Sequence, residues 1–128
     1  MHEVEIWIPV ITKDGDRSET MCTLFARRTL PVCPREGEQL SFHQSKGSNI
    51  EFKLASAIGS LRHNSVSVTV DDVSHYSVKD NGAHRFTTAL RCSEIPAASK
   101  DDAKAIVAFM TSQADFEVDP YGANALGA

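Results

Sequence analysis

The sequence is short of nearly everything that marks a reaction. Its three cysteines, Cys22, Cys33 and Cys92, stand far apart and form no CxxC pair. An odd count without a signal peptide argues against a secreted disulfide framework. No apolar run approaches the roughly 18 residues a membrane helix needs, and the N-terminal stretch Met-His-Glu-Val-Glu is acidic, unlike an export leader. The expectation is a cytoplasmic, non-membrane protein with reduced thiols. A Gly-x-Ser-x-Gly elbow is missing, as is any phosphate-cradling loop, because Gly15, Gly37, Gly47, Gly59 and Gly82 are isolated. Catalysis has no local signature, and no cofactor is expected.

The chain that remains is ordinary in bulk. Its 128 residues, 41% hydrophobic and 23% charged, suit one domain with a core and no staples. The net charge of −4 disfavours a general nucleic-acid binder. That charge is uneven: residues 27–63 carry six bases against three acids, leaving −7 for the rest.

Periodicity points to strands. Val4, Ile6, Ile8 and Val10 alternate with Glu3, Glu5, Trp7 and Pro9, a period of two that fits a half-buried strand. Pro9, lacking a donor, belongs at an edge or beside a bulge. Asp14-Gly15 reads as a two-residue hairpin turn, which would set Ile8 opposite Met21, Ile6 opposite Thr23 and Val4 opposite Phe25. Prolines 31 and 34 and Gly37 make a corner leading into Gln39–His43, with Leu40 and Phe42 inward. Ile50, Phe52, Leu54 and Ile58 suggest a further strand, with Arg62-His63-Asn64 as the next turn. Val66, Val68 and Val70 suggest another. Asn81-Gly82 reads as a second hairpin turn, between a strand around Val73–Val78 and one at Arg85–Cys92 whose Phe86, Leu90 and Cys92 share an apolar face.

Ser99 as N-cap, Asp101 and Asp102 in the first turn, and Ala103, Ile106, Val107 and Met110 at helical spacing predict one amphipathic helix over about 100–113. The expected fold is mainly β (α+β by content): a small antiparallel β-barrel or sandwich of six to seven strands with one C-terminal amphipathic helix. Residues 1–118 form the domain and 119–128 a flexible tail.

Candidate sites are few. Asp71, Asp72, His75 and His84 cluster around one hairpin, but the reading sends the two imidazoles to opposite faces, and no metal site is expected. Cys33, beside Pro34 and Arg35, is the best placed thiol, whereas Cys22 and Cys92 read as sheet residues. Arg27, Arg28, Arg35 and Arg62 fall at strand ends and corners. Converging on one rim, they would bind an anionic ligand or single-stranded nucleic acid. Trp7, opposite the apolar stripe, is either covered by the helix or a second sheet, the favoured option, or is an interface anchor. A homodimer burying that face would reconcile the two. The leading functional expectation is a non-catalytic protein-interaction module, homodimeric or with another protein. The anionic-ligand binder comes second, and an enzyme with a site assembled from distant strands third.

Overall fold

The computed structural model of the chain describes residues 2–14, 17–55 and 62–119. Among them, seven strands form one curled mixed sheet, a half-barrel, with one helix near the C-terminus. The elements are β1 (His2–Asp14), β2 (Arg17–Leu30), β3 (Gln39–His43), β4 (Ser65–Asp80), β5 (Ala83–Cys92), β6 (Ile95–Ala97), α1 (Lys100–Gln113) and β7 (Glu117–Val118). The order across the sheet is β3-β4-β5-β1-β2-β7, and β6 also pairs with β1.

The mainly β fold with a single C-terminal helix is the one expected, but its sheet is not wholly antiparallel. β1 runs parallel to both β5 and β6. A direct connection between parallel strands needs a crossover, usually a helix. Here the chain reaches β5 through β2, β3 and β4, so no direct crossover is required. Pro9 lies in the interval between Trp7, the last residue paired with β5, and Val10, the first paired with β6. It also directly precedes the β1–β2 register shift at Val10/Ile11. A residue without a donor fits such a gap.

The first hairpin corrects its expected register. Asp14 pairs with Arg17, so Asp14 belongs to the ladder; Gly15 lies outside the described residues. Beyond the bulge, Val4 faces Arg28, Ile6 faces Ala26 and Ile8 faces Leu24. This offset is odd relative to the expected one, and an odd slip exchanges faces. Leu24 and Ala26 therefore join the core, while Thr23 and Phe25 stand on the other face beside Pro9 and Trp7.

Of the strand expected over Ile50–Ile58, the described residues 50–55 form none. Phe52 makes one bridge to His63 and Leu54 one to Ala97, while Ile58 lies outside the described residues. His63 exchanges backbone hydrogen bonds with Phe52 at 2.8 and 3.1 Å, so it is not a hairpin tip. The stretches Val66–Val70 and Val73–Val78 are one strand, β4, bent by a bulge between Val70 and Asp72. The Asn81-Gly82 turn is as expected, with Asp80 opposite Ala83 and φ of 50° at Asn81 and 82° at Gly82, the left-handed pair that a tight hairpin requires.

Two side-chain placements in this hairpin differ from expectation. Phe86 lies beyond the core and is 78% exposed. His75 pairs with Thr88 and His84 with Lys79. Residues 75 and 79 share a strand face, so both imidazoles stand on the same side, not on opposite ones. They are four residues apart along the ladder, about 13 Å, and bond separately, His75 Nδ1 to Thr88 Oγ1 at 2.9 Å and His84 Nδ1 to Ser77 Oγ at 3.5 Å. Among the described residues no group of three or more His, Cys, Asp or Glu could hold a metal ion.

The core lies between the inner face of the sheet and α1. Val4, Ile6, Ile8 and Val10 meet Leu24, Val66, Val68 and Leu90 from the sheet and Ala103, Ile106, Phe109 and Met110 from the helix. Phe52 stacks edge-on against Phe109, with ring centroids 5.5 Å apart, and so closes the inner face where no strand passes.

The helix begins as predicted. The Ser99 hydroxyl accepts from the Asp102 amide at 3.1 Å, an N-cap bond, and donates to Asp102 Oδ2 at 2.8 Å. Asp102 Oδ1 accepts from the Lys53 amide at 3.0 Å and from Arg62 at 2.8 Å. One carboxylate thereby pins two distant segments to the helix start. Burial disfavours its charge, but these donors outweigh that cost and hold its pKa below the ordinary 3.8. At the other end, Asp119 donates its amide to the Thr23 carbonyl at 2.8 Å. Residues 120–128 lie outside the described residues. Among those described, no helix is long and apolar enough to cross a membrane.

Candidate functional site

Strand alternation that buries Val4, Ile6 and Ile8 must turn Glu5, Trp7 and Pro9 to the opposite face of the sheet. Among the described residues neither the helix nor a second sheet covers that outer face, because α1 packs on the inner one. Trp7, favoured from sequence as a covered residue, is instead half-buried at the surface. Its cover is Phe25, with ring centroids 4.5 Å apart and planes tilted by 45°.

Register arranges the outer face in rows. Ser74, Ala89, Glu5 and Arg27 lie side by side across β4, β5, β1 and β2; Asp72, Arg91, Trp7 and Phe25 form the next row. Ser74, Ala89 and Thr23 have short side chains, which leaves room between Trp7, Tyr76 and Arg91. The result is a cleft of about 490 Å³ with Glu5 and Pro9 also in its lining, within the size range of small-ligand and side-chain pockets.

The polar groups of the cleft are unusual for an open sheet face. Glu5 is only 8% exposed. Its carboxylate accepts a hydrogen bond from the Tyr76 hydroxyl and lies 3.5 Å from Arg27 Nε, which supplies the partners a buried charge requires. Burial, reinforced by the hydrogen bond to Glu5 and by its charge, pushes the Tyr76 phenol up to about 12. The next outer-face pair, Glu3 and Arg85, also meets at 3.5 Å. Arg91 has no ion-pair partner among the described residues, and Asp72, its cross-strand neighbour, accepts from Ser74 Oγ at 3.0 Å.

The four arginines singled out from sequence do not gather on one rim. Arg27 and Arg28 share a second cleft of about 450 Å³ at the β2 edge, where Asp115 and Glu117 oppose them. Arg28 bonds the Ala114 carbonyl and lies over the Phe116 ring, 5.5 Å from its centroid. It thus supplies the cation that α1 lacks in its own last turn. Arg62 is held at the opposite end of the helix by Asp102, about 18 Å away for the intervening turns. Arg35 borders a third cleft, of about 590 Å³, with His2, Val32, Val73 and His75. Two of the three thiols are poor nucleophiles, because burial pushes Cys22 and Cys92 up to about 11; Cys33 is half-buried in the corner before β3.

Glu5, Tyr76 and Arg91 are absent from the sequence candidates. The Asn81-Gly82 register already places Ser74 beside Ala89 and Tyr76 beside Thr87. What no local pattern shows is the parallel pairing that brings β1, and with it Trp7, next to Arg91. Comparison with known proteins adds no analogy, since the chain matches no family, no curated protein and no solved structure.

Proposed function

We propose that the chain is a small, non-catalytic protein-interaction module that seats a side chain of its partner in the Trp7 cleft on the outer face of the sheet. The supporting observation is a half-buried tryptophan, packed on Phe25 at the surface, bordering a cavity of about 490 Å³ whose buried carboxylate already has its partners. Tryptophan in such a setting combines a large apolar area with little conformational entropy to lose, the profile of an interface hot spot. The partner is a protein segment, from a second copy of the chain or from another protein.

Display selection of random peptides on the immobilised chain tests this reading. Selected peptides should change the fluorescence of Trp7, the sole tryptophan, and lose at least about tenfold in affinity for a Trp7→Ala variant. Peptides that bind wild type and Trp7→Ala equally, leaving the emission unmoved, would place the interaction elsewhere.

A further inference from the structure

We infer, given that the Trp7 cleft is the binding site, that the segment it receives carries a carboxylate beside an apolar or aromatic side chain, and that Arg91 is the residue that selects it. The charges of the outer face carry the inference. Of its three arginines on β2 and β5, Arg27 is matched by Glu5 and Arg85 by Glu3, each at 3.5 Å. Arg91 is exposed and has no ion-pair partner among the described residues, and the carboxylate opposite it in the ladder, Asp72, is engaged by the Ser74 hydroxyl.

Arg91 also stands where a ligand would meet it. It lines the cleft and is the register partner of Trp7 across the β1–β5 ladder, so a flat apolar group against the indole leaves its neighbouring substituent within reach of the guanidinium. A guanidinium offers two parallel donors that match a carboxylate. The remaining charge in the cleft does not favour a cationic ligand. Among the described residues Glu5 is the only carboxylate in the lining, and it is already bonded by Tyr76 and paired with Arg27. Binding an ammonium there would require breaking one of those contacts and holding the cation near Arg91.

The test uses phenylacetate, phenylacetamide and phenethylammonium as minimal stand-ins that differ in charge on a common ring, read through the Trp7 indole N–H resonance of the full chain. Phenylacetate should shift that resonance and bind about tenfold more tightly than the amide at low salt, with the ammonium weakest. The preference should shrink as salt rises, because Arg91 is exposed. Arg91→Gln should erase the preference, bringing the affinity for phenylacetate down to that for phenylacetamide in the same variant, and Arg91→Lys should keep part of it. If the amide or the ammonium shifts Trp7 and binds as tightly as the acid, the carboxylate inference falls and the cleft stands. If none of the three moves the Trp7 resonance at millimolar concentration, the cleft reading itself falls.

Discussion

Removing the Asp102 carboxylate should loosen the joint between α1 and the segments that lack strand structure. In Asp102→Ala the Lys53 amide loses its acceptor, and an orphaned, partly buried donor costs about 1–3 kcal/mol. Arg62 loses its partner as well, but its side chain is half exposed, so that pair contributes at most about 1 kcal/mol. Loss of a negative charge at the helix start adds about 0.5 kcal/mol. The expected destabilisation is about 2–4 kcal/mol, or a fall in Tm of roughly 7–15 °C for a domain of this size. Asp102→Asn keeps an oxygen for Lys53 and should lose only about 1 kcal/mol at neutral pH. The pH dependence has a definite sign. The folded-state pKa of Asp102 lies below its ordinary 3.8, so the charge contributes fully above that value and less as pH falls through the folded pKa. Denaturant unfolding of wild type and Asp102→Asn should therefore show a gap that is constant near pH 7 and closes below about pH 4. An Asp102→Ala variant within about 0.5 kcal/mol of wild type, the scale of an ordinary surface change, would refute the pinning role, and so would a gap that widens in acid.

Other outcomes follow from single placements. Phe109→Ala, in the core with no exposed area, should cost about 3–5 kcal/mol in chemical denaturation, whereas Phe86→Ala, at 78% exposure, should stay within about 0.5 kcal/mol of wild type. With Cys22 and Cys92 both pushed to about 11, only about one thiol in ten thousand is ionised at pH 7 at either site. Alkylation should then modify Cys33 first, and three equal rates would contradict their burial. Spectrophotometric titration should find the Tyr76 phenol ionising at about 12, and Glu5→Gln should bring it down toward its usual value.

Much of the fold is legible in the sequence because it is local. The alternation of Val4 to Val10, the Asn81-Gly82 turn and the Ser99 cap each act over a few residues, and each is present in the structure. The errors arise where a distant contact decides. The offset of Val4 against Arg28, rather than Phe25, depends on closing the hairpin at Asp14 and Arg17 and on a bulge that no motif announces. Phe52 reads as a strand residue by parity, yet its burial comes from packing on Phe109 rather than from a ladder. The site follows the same logic. Trp7 stands out from its strand alone and alternation sets Glu5 beside it, but Tyr76 and Arg91 become its neighbours only through the pairing of β1 with β5. The arginines, adjacent or charged in sequence, are dispersed because Arg28 and Arg62 serve opposite ends of one helix.

The binding role of the outer face is tested most directly by mapping NMR shifts across the chain as a display-selected peptide is added. The account predicts that the largest changes fall on Glu5, Trp7, Ala89 and Arg91, which line one cleft on adjoining strands. Changes centred on Arg28, Arg35 or Arg62, with Trp7 unmoved, would contradict it.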